Sequence, residues 1–148
     1  MDKNLAWLMS DSTRLLRRAF EERVRVTGIT APQARLLLAL DRSPGENQAF
    51  YADRLEVEPI TLCRMVDRME EGGLVERRHD PADRRARLLH LTATAEGEVA
   101  RIRSALDGML DQMVAGLDER EQDELLRMLQ VVTRNLTPSA RVESVAHG

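Results

Sequence analysis

Residues 55–77 read LEVEPITLCRMVDRMEEGGLVER, and this segment contains the signals of a helix with a defined start and end. Pro59 suits the first turn of a helix, because the backbone N–H that proline lacks would have no partner there. Gly72 and Gly73 indicate the end of the helix. The predicted helix, about residues 59–72, has an apolar stripe at helical spacing, formed by Leu62, Val66 and Met69. Its opposite side carries Thr61, Arg64 and Arg68.

A second short helix is predicted just before this one, over residues 48–55. Its side chains available for packing are Phe50, Tyr51, Ala52 and Leu55. Residues 56–58 form a short connector, and two short helices joined by a tight turn are typical of the helix-turn-helix motif of DNA-binding proteins. Further upstream, the sequence TAPQ at residues 30–33 matches a capping box before an apolar run, which predicts another helix.

A β-hairpin is predicted after the glycine pair. Residues 74–78 and 87–91 have the pattern of two short strands around a polar loop. The loop tip carries Arg84 and Arg85, and Asp83 could brace Arg85 in an extended pose suited to a narrow minor groove. A solvated turn is the alternative for such a tip, but its position directly after a helix-turn-helix favours contact with DNA.

Long amphipathic helices are predicted at both ends of the chain. The first covers residues 5–27 and stops at Gly28, the second runs to about residue 117, and the third ends near residue 136. The predicted caps of the last two are Thr92, and Asp118 with Glu121. Two copies of the chain would bury these apolar stripes most easily, so we expect a homodimer. The alternative is that the N- and C-terminal helices pack on each other within one chain.

These elements predict a mainly α fold with a small β-hairpin wing, which is a winged helix-turn-helix with N- and C-terminal dimerisation helices. The expected segments are an N-terminal dimerisation helix at 1–29, a DNA-binding domain at 30–92, C-terminal dimerisation helices at 93–137 and a disordered tail at 138–148. Within the DNA-binding domain, the recognition helix is expected at about 59–72 and the wing at about 74–91.

The sequence resembles the MarR family of winged helix-turn-helix transcriptional regulators. The resemblance is carried by residues 55–77, by the DPADRRA motif at 80–86, and by Leu91 and Thr92, and it extends over residues 5–136. It implies a homodimer that binds double-stranded DNA, acts as a repressor and is released from its operator by a small-molecule effector. The two-fold symmetry of such a dimer predicts an inverted-repeat operator, because recognition helices about 34 Å apart meet successive major grooves.

The resemblance also implies a role for each residue that matches the family motifs. Thr61 and Arg64 would contact bases in the major groove. Arg85 would enter the minor groove, with Asp83 bracing it. The remaining two, Arg68 and Arg84, would contact phosphates.

Two acidic residues depart from the family pattern around the connector. Glu56 lies in the turn where glycine is common, which predicts a slightly strained backbone. Glu58 replaces the short hydroxyl side chain that often caps the recognition helix, so it is a poorer cap and places negative charge near the DNA.

A small aromatic acid is one candidate effector. Arginines near aromatic rings on the N-terminal helix could hold its carboxylate, and these residues are Trp7, Arg14, Arg17, Arg18 and Phe20. Alternatively, the aromatic residues belong to the dimer core and the arginines to a solvated face.

The composition of the chain fits a DNA-binding protein only through the distribution of its charge. Its 148 residues carry a net charge of −3, which argues against a uniform positive surface. However, residues 77–90 have a local charge of +3, whereas residues 118–124 have one of −4. Lys3 is the only lysine, so the other basic residues are arginines, which can fork onto a phosphate or a guanine.

Several other classes of protein are disfavoured. Cys63 is the only cysteine, which excludes an internal disulfide and a cysteine-rich zinc site, and we expect no metal or cofactor. No catalytic constellation has suitable spacing, so we expect no enzyme. No apolar run reaches the roughly 18 to 20 residues of a membrane span, which predicts a cytoplasmic protein without a membrane partner. A redox role for Cys63 is a less favoured alternative to that of a small helix residue.

The alternative function is a winged-helix dimer that acts as a protein-interaction module without specific DNA binding. Acidic residues near the predicted DNA surface would weaken its affinity for DNA, and they are Glu56, Glu58, Glu70 and Glu71. In this interpretation, Arg64 and Arg68 are solvated helix residues whose ion-pair partners are Asp67, Glu70 and Glu71.

Overall fold

Six α-helices and one β-hairpin make up residues 4–138, the part of the chain that the computed structural model describes. The elements in chain order are α1 (Asn4–Val24), a 3-10 turn (Arg25–Thr27), α2 (Ala31–Arg42), α3 (Gln48–Arg54), α4 (Pro59–Glu71), β1 (Val75–His79), β2 (Arg87–Leu91), α5 (Ala93–Met113) and α6 (Glu119–Leu136). The predicted mainly α fold with a hairpin wing is confirmed. Residues 139–148, most of the predicted disordered tail, lie outside the described part.

Local capping explains where most helices begin. The Asp118 carboxylate accepts from the Glu121 N–H at 2.9 Å and the Glu121 carboxylate accepts from the Asp118 N–H at 2.9 Å, which is the complete box predicted for α6. The Thr92 hydroxyl accepts from the N–H of Ala95 at the start of α5, at 3.3 Å. At α2, Thr30 accepts from the N–H of Gln33, so within the described residues only the first half of the predicted box forms.

Two helices are shorter than predicted. α1 ends at Val24, because the chain tightens into the 3-10 turn before Gly28, whose φ of 77° is left-handed. α5 ends at Met113 rather than near residue 117, where the chain turns through Gly116 with a φ of 89°.

The connector between α3 and α4 is the tight turn of a helix-turn-helix. The N–H of Val57 donates to the carbonyl of Ala52 at 3.0 Å, and the N–H of Glu56 donates to that of Asp53 at 3.1 Å. Glu56 has a φ of 53°, which glycine adopts more easily than any residue with a side chain. The predicted strain at Glu56 is therefore present.

The hydrophobic core lies behind α4. The predicted stripe of α4 is buried, with Met65 added to it, and these residues are Leu62, Met65, Val66 and Met69. Tyr51 of α3 is fully buried, and its hydroxyl donates to the Ser43 carbonyl at 2.5 Å and accepts from the Glu46 N–H at 3.2 Å. Burial raises the pKa of this phenol, and its hydrogen bonds fix the loop between α2 and α3.

The wing is an antiparallel pair in which Val75 lies opposite Leu91 and His79 lies opposite Arg87. Its inner edge is tied to the loop before α3, because the Leu89 N–H donates to the Glu46 carbonyl at 2.9 Å. After the C-terminal end of α4, Gly73 has a φ of 74°, which turns the chain from the helix into β1. The wing therefore has a fixed position beside α4.

Contacts divide the chain into one compact unit that ends at Leu110 and a second that begins at Asp111. In the first unit, α1 buries only Val24 and exposes large apolar side chains, which are Leu5, Trp7, Leu8, Leu15 and Leu16. In the second, α6 buries no residue and exposes Leu126, Met128, Leu129 and Leu136. The predicted functional segments at 1–29, 30–92 and 93–137 stay predictions.

Candidate nucleic-acid interface

The recognition helix α4 has three faces with different environments. Successive residues of an α-helix are rotated by about 100°, which places the buried stripe on one side. A second face meets the side chain of Arg77 and consists of Cys63, Asp67 and Glu70. The third, which we call the open face, consists of Ile60, Thr61, Arg64 and Arg68, all of them exposed.

The arginines of the open face are free. Within residues 4–138, the side chains of Arg64 and Arg68 make no hydrogen bond and no ion pair, although several carboxylates are close in sequence. Thr61 lies three residues before Arg64 and therefore on the same side of the helix. A hydroxyl and two guanidinium groups without protein partners can donate to the base edges and phosphates of a nucleic acid.

The nearby carboxylates are occupied by Arg77, which forms what we call the Arg77 cluster. The Arg77 guanidinium donates to Asp67 at 2.6 Å, to Glu70 at 3.0 Å and to the Gln48 side chain at 3.0 Å. It also donates to the Cys63 carbonyl at 3.4 Å. The Arg77 N–H donates to the other oxygen of Glu70 at 3.1 Å. These contacts join β1, α3 and α4.

Arg77 stays charged in this position. Burial disfavours its charged form, but the hydrogen bonds and negative charges of Asp67 and Glu70 outweigh this effect and raise its pKa. Asp67 and Glu70 contact Arg77 and not Arg64 or Arg68, and Glu71 forms no ion pair in the described structure, so the ion pairs considered for those two arginines are wrong. The Arg77 side chain is only 18% exposed, so it adds little to the positive surface, although it was counted in the charge of +3 for residues 77–90.

The tip of the wing is ordered by two aspartates. The Asp80 carboxylate accepts from the Ala82 N–H at 2.8 Å, and the Asp83 carboxylate accepts from the Arg85 N–H at 2.9 Å. Asp83 thus contacts the backbone of Arg85 and shapes the turn that presents its side chain. Arg84 and Arg85 are exposed, and in the described structure neither guanidinium has a hydrogen-bond or ion-pair partner.

The other arginines of the wing have partners. Arg78 pairs with Glu76, and Arg87 lies 2.9 Å from the Nδ1 atom of His79. Only the two arginines at the tip therefore remain available among those of the described hairpin. At the start of α4, Glu58 has the extended backbone of a cap residue but makes no side-chain hydrogen bond, as its poor capping chemistry predicts.

Comparison with known proteins identifies the family. The family model described as "MarR family" matches residues 29–86. The transcriptional regulator HosA of Escherichia coli O111:H- is 32% identical over 102 residues, which are 69% of this chain and 76% of HosA. The chain belongs to the MarR family.

Solved structures agree with membership of the MarR family. A structure of the transcriptional repressor CouR bound to a 23-mer DNA duplex has 29% sequence identity and a TM-score of 0.71, and the match covers 88% of this chain and 92% of CouR. A crystal structure of MarR has 27% identity and a TM-score of 0.74, covering 91% of this chain and 93% of that one. The resemblance inferred from the sequence is confirmed: this MarR-family chain is a winged-helix, DNA-binding transcriptional regulator, not an enzyme.

Two features of this MarR-family domain were missed in the sequence, the exposed Ile60 and the Arg77 cluster. Ile60 is 60% exposed, although its place one helical turn before Arg64 could have indicated this. The Arg77 cluster had no such local signal, because Gln48 and Asp67 lie 29 and 10 residues from Arg77 in the chain. Their meeting depends on how three elements pack.

Cys63 is partly buried, and its Sγ atom lies 3.9 Å from the Arg77 guanidinium. Among residues 4–138, no group of three or more His, Cys, Asp or Glu side chains is arranged to hold a metal ion. No helix in that range is both long and apolar enough to cross a membrane.

Proposed function

We propose that this MarR-family regulator is a homodimeric repressor that binds an inverted-repeat operator in double-stranded DNA. The observation that carries the proposal is a set of four exposed arginines whose side chains have no partner within the described part of the chain, two on α4 and two at the wing tip. They are Arg64, Arg68, Arg84 and Arg85. The CouR structure supports it, because that similar repressor is bound to a DNA duplex.

Each residue of the interface has a distinct proposed role. Thr61 and Arg64 contact base edges in the major groove, where a guanidinium can donate two hydrogen bonds to one guanine. Arg85 enters the minor groove, and Asp83 fixes the turn that presents it. Arg68 and Arg84 contact phosphates on either side of these base contacts.

The homodimer is supported by the exposed apolar residues of the terminal helices. Leu8 of α1 is 54% exposed and Leu126 of α6 is 58% exposed, and each belongs to a row of such residues. Apolar rows of this size on a monomer mark an interaction surface. We propose that the segments 1–29 and 93–137 bury them against a second copy. Such a regulator acts where the chromosome lies, in the cytoplasm.

A small aromatic acid is the proposed effector. Of the residues suggested by the sequence, Arg17 and Phe20 line a pocket of about 180 Å³ together with Leu16, Glu21 and Arg35. The Arg35 Nε atom is buried and has no hydrogen-bond partner in the described structure. A carboxylate would supply that partner, and the apolar wall would take the aromatic ring. Trp7 is 63% exposed and does not line this pocket.

The DNA-binding role is tested by a fluorescence anisotropy titration of the purified protein against its own upstream DNA, at about 0.1 M and about 0.3 M salt. We expect binding that weakens by about 100-fold at the higher salt, because several arginines displace counterions from phosphates. Arg85→Ala should weaken binding at A·T-rich flanks, and Arg64→Ala should also change the preference within the half-site.

Arg78→Ala is the matched control, because Arg78 lies in the same hairpin but pairs with Glu76. It should bind DNA nearly as the unmodified protein does. Unchanged affinity and specificity in both Arg85→Ala and Arg64→Ala would contradict the proposed docking. Weak binding that does not respond to salt would favour the protein-interaction module instead.

The effector site is tested with benzoate as the probe. Millimolar benzoate should release the unmodified protein from DNA, whereas Arg35→Met should bind DNA normally and no longer respond. Release of both proteins at the same benzoate concentration would place the effector elsewhere.

A further inference from the structure

We propose that Ile60 recognises thymine, by packing its side chain against the 5-methyl group of a thymine in the major groove. The thymine lies beside the base pair that Arg64 contacts. This inference rests on the proposed DNA-binding function and adds a specificity-determining residue to the open face of α4.

The first observation is the exposure of Ile60. The other large apolar side chains of α4, Leu62, Met65, Val66 and Met69, are at most 8% exposed, whereas that of Ile60 is 60% exposed. A single exposed apolar residue needs no explanation on an ordinary surface. Ile60, however, occupies one of the four positions of the open face, where every other residue is polar or charged.

The second observation is the position of Ile60 relative to Arg64. Residues four apart on a helix are neighbours on its surface, with Cβ atoms about 5–6 Å apart. Successive base pairs are separated by about 3.4 Å along the DNA axis. When the Arg64 guanidinium contacts one base pair, the Ile60 side chain therefore lies at the next base pair or the one after it.

The chemistry of the major groove then identifies the group that Ile60 contacts. The edges of the bases there are donors and acceptors, with the exception of the thymine methyl group, which is apolar. An isoleucine beside any other base would cover donors and acceptors without replacing their bonds to water. Beside thymine, the isoleucine side chain and the 5-methyl group cover each other, and both apolar surfaces are removed from water. A protein partner is a poorer fit, because the open face offers a single apolar side chain in the same row as Arg64 and Arg68, and not an apolar patch.

The experiment replaces thymines in the operator by deoxyuridine, which lacks only the methyl group. The operator is first selected from a random duplex library by the unmodified protein, and each thymine of a half-site is then replaced in turn. Removing one buried methyl group should weaken binding about fourfold at one or two positions. Ile60→Ala should bind the thymine operator more weakly by a similar factor and should lose the response to deoxyuridine at those positions.

Val26→Ala is the matched control, because Val26 is 81% exposed on the 3-10 turn, outside α4. It should keep the full response to deoxyuridine. Equal affinity of the unmodified protein for every deoxyuridine operator would overturn the proposal, and so would an Ile60→Ala variant with an undiminished response. Either result leaves the DNA-binding function intact. Failure to select any duplex, with no salt-sensitive binding, would instead overturn both.

Discussion

Arg64 and Arg77 show how a side chain's surroundings decide what the same residue type does. Arg77 contacts Asp67 and Glu70 on one face of α4 and holds the recognition helix against β1. Arg64, on the open face, has no partner within the described chain. Because Asp67 and Glu70 contact Arg77, the Arg64 side chain is not held in an ion pair and can contact DNA. Arg77 is therefore a positioning residue of the interface, although it does not contact the nucleic acid.

Arg77→Ala should lower both stability and DNA affinity. The variant loses charge-assisted hydrogen bonds to Asp67 and Glu70, and because these carboxylates are partly exposed, we expect the free energy of unfolding to fall by only about 2 kcal/mol. The released carboxylates lie beside Arg64 and Arg68 and should weaken DNA binding at least tenfold. Urea denaturation and anisotropy titrations measure the two effects.

Arg78→Ala again serves as the control, since its exposed pair with Glu76 should change the free energy of unfolding by less than about 1 kcal/mol. A further variant, Arg77→Lys, keeps the positive charge, but its ammonium group lacks the planar guanidinium that contacts Gln48, Asp67 and Glu70 together. If Arg77→Ala unfolds like the unmodified protein and binds DNA equally well, the Arg77 cluster does not position α4.

At the level of elements, the predictions that held are those decided by neighbours in the chain. The cap of α6, the proline start of α4 and the strained turn at Glu56 each depend on residues within a few positions of one another. The ends of α1 and α5 were predicted too far along the chain, because the last turn of a helix is weakly determined by local sequence. The second half of the Thr30 box was also predicted wrongly, because only the bond from the Gln33 N–H to the Thr30 hydroxyl forms in the described structure. The turns at Asp80 and Asp83 needed the structure, since several conformations suit a loop of that length.

The weak start of α4 leads to a prediction about this element. Glu58 is the cap residue, and its side chain makes no hydrogen bond to the helix. Glu58→Ser should supply an oxygen that accepts from the N–H of Ile60 or Thr61, and should raise the free energy of unfolding by about 1 kcal/mol. It also removes a negative charge next to the open face, so DNA should be bound more tightly.

Glu58→Gln separates these two effects. It removes the same charge without supplying a short capping hydroxyl, so it should tighten DNA binding and leave thermal unfolding nearly unchanged. Equal unfolding temperatures for Glu58→Ser and Glu58→Gln would show that the start of α4 gains nothing from a cap.

At the scale of the whole molecule, the terminal helices expose rows of apolar side chains that a single chain does not cover. α6 is strongly amphipathic in sequence but buries none of its own residues, and α1 buries one. Hydrophobic periodicity predicted both helices correctly, yet periodicity says only that one side needs to be covered and not what covers it.

Leu129→Arg tests the homodimer directly. Leu129 of α6 is 43% exposed, so an arginine there should leave the fold of one chain intact but place a charge in the proposed interface. We expect the unmodified protein to sediment as a dimer at micromolar concentration and Leu129→Arg to sediment as a monomer. The monomer should also lose most of its DNA affinity, because it contacts one half-site instead of two. Gln130→Arg adds the same charge at an exposed polar position of α6 and should stay dimeric. A Leu129→Arg variant that remains dimeric would move the interface away from this face of α6, whereas a monomeric unmodified protein would reject the homodimer itself.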